Sequence, residues 1–485
     1  MARIEVQPSM RRLALVGAAS ALMLSTALPV SAEHGGSAAL VKDINTAGTA
    51  GSSPSGLTAA GNLVFFSALG AGGRELYRTD GTTAGTARLN IRPGSRGALP
   101  ADITALGTKV LFSANDGSSG RELWISDGTA TGTRRVKDIR PGSKGSEPRG
   151  LAVMGGKVYF SANDGQRGRE LWVTNGTAKG TRLVRDIRAG AKGSNPADLV
   201  AVGPRLFFSA RSSRSLWISD GTSSGTRAFP NSSNLSDVRQ LTRAGDKLFF
   251  VGTTSVDGHT SETSLRVVRS AATRSVKLLD ASHENCPNVN YCRETLDMIP
   301  VGSSLFVTGP TRRLWRTDGT SAGTIKLKNL NDCGAKAGRY NDCSYAGAFT
   351  DVSGKLYFVL PQFAYSAETD TYRSDTDQVW TSDGTVAGTQ LVKVFEQPSS
   401  GGWNAPGAAI ALNGAYYFTG YEASSGFELW RSDGTSVGTT LVHEINTIGF
   451  DGGWAFPSNM AVLAGSLLMS ADDGSHGPEL WRLVP

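Results

Sequence analysis

The side chains of this chain that could do chemistry form no recognisable catalytic motif. Its five histidines are scattered, and none lies in a nucleophile or zinc motif; they are His34, His259, His283, His443 and His476. The sequence also lacks a phosphate-binding Walker loop and a dinucleotide-binding fingerprint. A catalytic site assembled from distant segments would leave no such motif. We therefore favour a protein without catalytic residues and without a cofactor, while an enzyme stays open.

The carboxylates that recur belong to one repeated motif. In its clearest copy, Glu122-Leu123-Trp124 is followed by Asp127-Gly128-Thr129. Six related copies differ from it in one or more residues: Glu75/Asp80, Glu170/Asn175, Leu216/Asp220, Leu314/Asp318, Val379/Asp383 and Glu428/Asp433. The interval between copies is about 50 residues. One decayed copy between Asp220 and Asp318, and a last one at Glu479-Leu480-Trp481, bring the total to nine units.

We expect these repeated residues to build the fold rather than to act on a ligand. The aspartate precedes Gly-Thr in a tight turn, where a carboxylate can accept backbone N–H groups. The glutamates are expected to be structural charges, because identical units rarely bring two catalytic acids together. The aromatic residue of each unit should pack against the neighbouring unit; the set is Tyr77, Trp124, Trp172, Trp217, Trp315, Trp380, Trp430 and Trp481.

One unit shows how the motif is positioned, because it contains four short strand patterns and no helical periodicity. The strands are expected at residues 150–154, 157–162, 170–174 and 181–187, with glycine turns between them. Four strands in a unit of about 40 to 50 residues are typical of β-propeller blades. We predict an all-β propeller of eight or nine blades, in which the fifth unit, from about 241 to 279, is the doubtful blade because it lacks the Asp-Gly-Thr turn.

The start of the chain predicts how the ring closes. Leu40-Val41-Lys42-Asp43-Ile44 copies a fourth strand but has no unit of its own, and the last unit lacks that strand. Pairing the first strand with the last three would remove both exposed sheet edges. This arrangement favours a closed ring over an open solenoid.

The repeats resemble the ELWxxDGT repeat proteins, a family of bacterial exported proteins that are predicted propellers and largely lack an assigned function. The resemblance covers nearly all of the chain after its first 32 residues. Units five and nine depart from the motif, and unit four has Ser215 in place of the glutamate. The resemblance implies a fold and export from the cytoplasm, and no activity.

The first 32 residues predict a secretory signal peptide. Arg11 and Arg12 precede an uncharged, mostly apolar run over 13–30, and the segment ends in Val30-Ser31-Ala32. A transmembrane anchor would need a longer apolar span, of ~20 residues. Cleavage near Ala32 would leave residues 33–485 as a single propeller domain, in the periplasm or outside the cell, with no membrane span.

The charge balance does not indicate a nucleic-acid partner. The net charge of the chain is +7. It falls to +5 without the signal peptide, because Arg3, Arg11 and Arg12 outweigh Glu5 by two. Such a mildly basic balance is ordinary for a soluble protein.

All four cysteines lie in one stretch and agree with export to an oxidising compartment. Cys286 and Cys292 are close in sequence, as are Cys333 and Cys343, so two local disulfides are the simplest pairing. Other pairings remain open. A zinc site is the competing interpretation, but the sequence has neither a Cys-x-x-Cys pair nor a histidine cluster to support it.

The units differ most in the connections between strands two and three and between strand four and the next blade, which share one face of a propeller. These include Thr253 to Ser264, Pro361 to Gln378 and the two cysteine segments. Variable loops on a rigid scaffold are where binding usually occurs. We therefore expect the ligand on this face.

Two groups of residues on that face are candidate ligand-binding residues. Units one to three carry a basic arc made of Arg92, Arg96, Arg140, Lys144, Arg188 and Lys192. These cations could bind an acidic polysaccharide or a phosphate-rich surface. The competing interpretation is that they were simply copied with the repeat. Trp403 and Trp454 lie outside the repeat position and could stack on a sugar ring or plug the ring of blades. Three acidic turns could bind calcium: Asn115-Asp116-Gly117, Asn163-Asp164-Gly165 and Asp472-Asp473-Gly474. Tight turns that bind no metal use the same residues.

These observations predict a secreted or cell-surface scaffold, monomeric and non-catalytic, that binds a glycan or a protein on the variable-loop face. A carbohydrate-active enzyme, either a hydrolase or a lyase, is the first alternative. A structural component of the cell envelope is the second, and it would have no discrete pocket.

Overall fold

The structure is a computed structural model built from β-strands. It describes residues 36–46, 50–210, 215–230, 232, 235–255, 261–269, 274–280, 296–308, 313–330, 346–366, 371–396, 407–422, 424–448 and 454–485. These residues contain no helix and form nine four-stranded sheets, each a blade of a β-propeller. The prediction of a propeller is confirmed, and the blade count is nine rather than eight.

The first five blades follow one another along the chain, each with its four strands in sequence order. Blade one contains β2 (Ser55–Ala60), β3 (Leu63–Gly70), β4 (Gly73–Thr79) and β5 (Ala87–Leu89), and blade two contains β6 (Ala101–Leu106), β7 (Lys109–Asn115), β8 (Arg121–Ser126) and β9 (Arg134–Lys137). Blade three contains β10 (Arg149–Met154), β11 (Lys157–Asn163), β12 (Arg169–Thr174) and β13 (Arg182–Arg185), and blade four contains β14 (Ala197–Val202), β15 (Arg205–Ala210), β16 (Ser215–Ser219) and β17 (Arg227–Ala228). Blade five contains β18 (Leu235–Ala244), β19 (Lys247–Ser255), β20 (Ser261–Arg269) and β21 (Val276–Asp280). The fifth unit therefore forms a complete blade, although it lacks the Asp-Gly-Thr turn.

Blades six to eight have the same order, and the ninth takes its outer strand from the start of the chain. Their strands are β22 (Asp297–Val301), β23 (Ser304–Thr308), β24 (Arg313–Thr317) and β25 (Ile325–Asn329); β26 (Gly347–Val352), β27 (Lys355–Ser366), β28 (Thr371–Ser382) and β29 (Gln390–Glu396); β30 (Ala409–Leu412), β31 (Ala415–Glu422), β32 (Gly426–Ser432) and β33 (Thr440–His443); and β34 (Ser458–Leu463), β35 (Ser466–Asp472), β36 (Pro478–Val484) and β1 (Ser37–Lys42).

The ring closes as the sequence predicts. Strand β1 pairs antiparallel with β36, with Leu40 opposite Trp481. The first strands of successive blades contact one another around the ring, and β34 of blade nine contacts β2 of blade one. The closing strand ends earlier than the predicted Ile44, because the N–H of Ile44 bonds to the carboxylate of Glu479 instead of continuing the ladder. The predicted strand 181–187 ends at Arg185 for the same reason, since the N–H of Ile187 donates to Glu170.

Hydrophobic side chains fill the spaces between the blades. The described residues contain nine buried clusters, each drawn from two neighbouring blades. Trp124 packs against the cluster between blades one and two, which includes Phe65, and Trp172 belongs to the cluster between blades two and three. A large aromatic ring is thus buried at each seam, meaning the interface between two neighbouring blades. The stability of each blade therefore depends on its neighbours.

The propeller has two different faces. The loop face carries the connections between strands two and three and from strand four to the next blade, and the turn face carries the other two kinds. The connection expected over Pro361 to Gln378 is shorter in the structure, because β27 and β28 continue as a paired hairpin as far as Ser366 and Thr371. In blade five, β19 and β20 likewise stay paired up to Ser255 and Ser261. Two longer hairpins thus extend the loop face.

Candidate functional site on the loop face

The glutamate of the repeated motif is fully buried and holds a loop. Glu170 accepts hydrogen bonds from the N–H groups of Ile187 and Arg188, both at 3.1 Å, and from Ser194 Oγ at 2.6 Å. Burial raises the pKa of this carboxyl, although the three bonds act against the shift. Four other buried glutamates bond to the same loop positions in their own blades: Glu75, Glu122, Glu428 and Glu479.

The aspartate of the motif closes a turn on the opposite face. Asp127 Oδ1 accepts bonds from the N–H and the hydroxyl of Thr129, at 3.0 and 2.7 Å. These bonds lower the pKa of Asp127. In blade three Asn175 accepts the same two bonds from Thr177, so the position needs an oxygen acceptor and no charge.

In five blades, the loop that leads into the blade ends in a residue whose side chain is exposed to solvent. Five such residues, each directly before a proline, have positive φ between 40° and 51° and exposed side chains: Ser53, Leu99, Glu147, Asn195 and Phe456. Their N–H groups donate to the third strand of the preceding blade, for example from Leu99 to Arg74 O at 3.0 Å and from Phe456 to Phe427 O at 3.2 Å. The backbone therefore fixes where these side chains project. They lie in blades nine, one, two, three and four, which are neighbours in the ring.

An aromatic cluster surrounds the last of these display positions. Phe456 stacks on Phe427 with ring centroids 4.9 Å apart, and Trp454 meets both rings edge-on at 5.3 and 5.4 Å. Trp454 is half-buried in this packing, whereas 46% of Phe456 is exposed. The more exposed ring is therefore the phenylalanine, which the sequence did not single out. The second predicted tryptophan, Trp403, lies outside the described residues.

The structure brings the predicted basic residues into equivalent positions of three neighbouring loops. Arg92, Arg140 and Arg188 are half-buried, and each follows the isoleucine whose N–H donates to the buried glutamate. The other three, four residues further on in each loop, are exposed: Arg96, Lys144 and Lys192.

The sequence did not point to a set of carboxylates at the mouth of the ring, where the first strands of the blades begin. Asp102, Asp198 and Asp297 are exposed at the same position near the start of the first strand in blades two, four and six, and Asn459 takes that position in blade nine. Although both residues are exposed, partial desolvation raises the pKa of Asp102, against the effect of Arg121 and Arg149, and it also raises the pKa of Asp297. The repeated Pro-Ala-Asp string of blades two and four was the available signal, but it does not show that these blades face one axis.

The acidic turns proposed for calcium are bonded within themselves. Asp116 Oδ1 accepts the N–H groups of Ser118 and Ser119, both at 2.8 Å. Asp473 Oδ1 accepts those of Ser475 and His476, both at 2.9 Å. The residues that the structure describes hold no group of three or more side chains suited to a metal ion.

Two further predictions concern the cysteines and a membrane span. Cys286, Cys292, Cys333 and Cys343 all lie outside it, so the disulfides stay a prediction. Among the described residues, none forms a helix long and apolar enough to cross a membrane.

Comparisons with known proteins leave the role of this propeller open. No family model and no curated protein sequence matches the chain. The computationally designed Ika8 protein is 15% identical, with a TM-score of 0.41, and the match covers 90% of this chain and 96% of Ika8. One of two prolyl endopeptidases is 13% identical, with a TM-score of 0.41, over 70% of this chain and 49% of the peptidase. A puromycin hydrolase S511A mutant complexed with PGG is 14% identical, with a TM-score of 0.36, over 77% of this chain and 58% of the hydrolase. At these identities and TM-scores no role is carried over to this chain.

Proposed function

We propose that this chain is a non-catalytic binding scaffold that takes a glycan on the loop face, with a protein ligand as the alternative. The observation that carries the proposal is the exposed ring of Phe456, supported from below by Phe427 and Trp454. An aromatic face held rigidly at a surface is a common platform for the apolar face of a sugar ring. The fixed backbone at this position means that little ordering would be needed on binding.

The repeated carboxylates support a binding role over catalysis. Glu122 and Glu170 are buried and bonded to backbone N–H groups, so they are already committed to the fold. Asp127 and its counterparts hold turns on the opposite face. A catalytic acid would instead need to reach a substrate within hydrogen-bond distance.

The cellular setting is part of the same proposal. The chain is exported as an ELWxxDGT-type protein of a bacterium, its signal peptide is cleaved near Ala32, and it acts in the periplasm, at the cell surface or in the medium. Two local disulfides, Cys286 with Cys292 and Cys333 with Cys343, form after export, and the protein is a monomer. The apolar run after Arg11 and Arg12 and the clustered cysteines support this setting.

A glycan array with the exported protein tests the binding role. We expect saturable binding to a subset of glycans, and loss of that binding in Phe456→Ala. Val437→Ala is the matched control, because Val437 is 91% exposed and follows the Asp-Gly-Thr sequence of blade eight on the turn face. A blank array, or equal loss in both variants, would sink the sugar-binding proposal and direct the search to protein partners.

The channel-mouth carboxylates favour one second candidate, a carbohydrate-active enzyme. Asp102 and Asp297 have raised pKa values and lie near the start of the first strands of blades two and six, which belong to the inner row of strands around the ring. Release of reducing ends from a polysaccharide, abolished in Asp102→Asn or Asp297→Asn, would establish this enzyme. Binding without any such release supports the scaffold.

A further inference from the structure

The basic arc consists of six cations in three neighbouring loops that are equivalent in structure. The arc is defined by Arg92, Arg96, Arg140, Lys144, Arg188 and Lys192. Neither aspartate nor glutamate occurs in the loop segments 91–97, 139–145 and 187–193. These three loop segments therefore carry charge of one sign only.

None of these six side chains forms a hydrogen bond or ion pair within the described part of the chain. Two carboxylates in the neighbouring turns already have partners. Asp116 accepts bonds from its own turn and lies 3.6 Å from Arg135, and Asp164 is paired with Arg167 at 2.7 Å. Cations without an internal partner create a positive potential that can attract an anionic ligand.

Two arginines of the arc, Arg92 and Arg140, pack closely against a neighbouring turn although they are unpaired. A Cβ on Gly117 would lie 2.8 Å from Arg92 Nε, so the arginine side chain packs directly over that turn of the next blade. Arg140 packs over Gly165 in the same way, with a corresponding distance of 3.1 Å. A guanidinium fixed by packing loses less freedom when it binds an anion.

The fold itself does not require arginine at this position. Asn45 and Asn446 occupy it in blades nine and eight, and their N–H groups bond to Glu479 and Glu428, both within 3.1 Å. Both asparagines are buried. The same loop is therefore built without a cation, and its hydrogen bonds do not explain the arginines of the arc.

The tips of the three loops leave room for an extended chain. Gly94, Gly142 and Gly190 have φ near +100° or slightly below, and nothing lies within 4 Å of the place that a Cβ would take. The residues between the cations are small or proline, so no bulky group separates one charge from the next.

We infer that the basic arc binds an anionic polysaccharide along its length. This inference rests on the proposed glycan-binding function and names its ligand class. A polysaccharide with carboxylate or sulfate groups can contact the repeated cations in succession. Single-stranded nucleic acid is less well matched, because its binding sites combine cations with aromatic rings for base stacking, and the three loop segments contain no aromatic residue.

Binding of the exported protein to alginate and to dextran sulfate, with neutral dextran as reference, tests the inference. We expect binding to at least one of the two polyanions and none to dextran, with affinity falling at least about tenfold between 50 and 500 mM NaCl. The triple variant Arg96→Gln, Lys144→Gln and Lys192→Gln should weaken polyanion binding at least about tenfold. A preference between alginate and dextran sulfate identifies the anionic group.

A second triple variant controls for net charge. Lys109→Gln, Lys157→Gln and Lys179→Gln remove the same charge from exposed positions on the turn face of blades two and three. We expect these changes to leave the affinity within about twofold. Equal weakening in both triple variants, tighter binding of single-stranded DNA than of either polyanion, or the absence of polyanion binding would overturn the inference. Neutral-glycan binding that depends on Phe456 would then still support the proposed function, so the two failures are distinguishable.

Discussion

Ser194 donates a hydrogen bond of 2.6 Å from its Oγ to Glu170 Oε2, and neither side chain is exposed to solvent. Glu170 belongs to the third strand of blade three, whereas Ser194 lies at the far end of the loop that leads into blade four. The N–H groups of Ile187 and Arg188 at the start of that loop bond to the same carboxylate. One buried side chain thus holds both ends of a loop of the candidate site.

Replacing Glu170 by glutamine should destabilise the protein. An amide N–H₂ group would face backbone N–H donors where the carboxylate accepts, and we expect a loss of about 2–4 kcal/mol in the free energy of unfolding. Urea unfolding followed by tryptophan fluorescence measures it. Glu147→Gln, at an exposed display position 3.9 Å from Arg121, should cost less than about 0.5 kcal/mol. Similar losses in both variants would refute the anchoring role.

Glu428 should make stability depend on pH. Among the described residues it accepts the N–H groups of Ile445 and Asn446, and its burial, together with the nearby charge of Glu444, raises its pKa to about 7 from an ordinary value of 4.5. A raised pKa means that the folded state holds the proton more tightly, so the stabilisation is complete below pH 4.5 and is lost as the pH rises through 7.

We therefore expect the free energy of unfolding to fall with rising pH across this window, by up to about 1.4 kcal/mol per unit, relative to Glu428→Gln. The variant imitates the protonated side chain, so the difference between the two proteins isolates this group. Asp377, whose burial also raises its pKa to about 7, is common to both and cancels. A difference that stays constant from pH 5 to 7.5 would contradict the expectation.

Asp127 should tolerate asparagine but not alanine. Because Asn175 accepts the same turn bonds in blade three, Asp127→Asn is expected to change the free energy of unfolding by less than about 0.5 kcal/mol. Asp127→Ala removes the acceptor for Thr129 and should cost about 1 kcal/mol. The urea midpoints of the two variants decide the matter. A large effect of the asparagine variant would mean that the charge itself is needed.

The sequence predicted the architecture because the motif is local and repeated. Each copy contains the strand pattern, the turn and the seam residue of one blade, and Leu40 with its neighbours is recognisable as a copy of a missing outer strand. Ring closure then requires only that this strand pair beside Trp481, as it does.

The candidate site was harder to predict because it depends on contacts between distant residues. Trp454 and Phe456 look equally available in the sequence, and only their packing against Phe427 leaves Phe456 more exposed. Asp102 and Asp297 are far apart along the chain. They lie at equivalent positions around one ring only because the nine blades close it.

Two glycines of blade three separate backbone strain from crowding. Gly176 has φ of +86°, and a Cβ there would lie 2.8 Å from Ile125 Cδ1 of the preceding blade. Gly155 has φ of +57° with nothing within 4 Å of that place. We expect Gly155→Ala to cost about 1 kcal/mol and Gly176→Ala about 3 kcal/mol, because it adds the clash. Equal losses in the free energy of unfolding, measured by heat or urea, would show that Ile125 can move away from residue 176 without a loss of stability.

Strand β1 should be required for a closed and stable ring. A chain that begins at Asp43 retains the bonds from Ile44 and Asn45 to Glu479 but leaves β36 as an open sheet edge. It also loses the buried side chain of Val41 at the seam between blades nine and one. We expect the free energy of unfolding to fall by roughly 3 kcal/mol or more and self-association to increase through the open edge.

The missing strand can be returned as a separate molecule. A peptide with the sequence of residues 36–42 should restore the urea midpoint in a concentration-dependent way and reduce association in sedimentation experiments, because it supplies both the ladder bonds and the Val41 side chain. The same peptide with Val41 replaced by aspartate pairs through its backbone but cannot fill the seam, so it should rescue weakly. Equal rescue by both peptides would mean that edge pairing alone closes the ring, and no rescue by either would mean that the closing strand must be covalently attached.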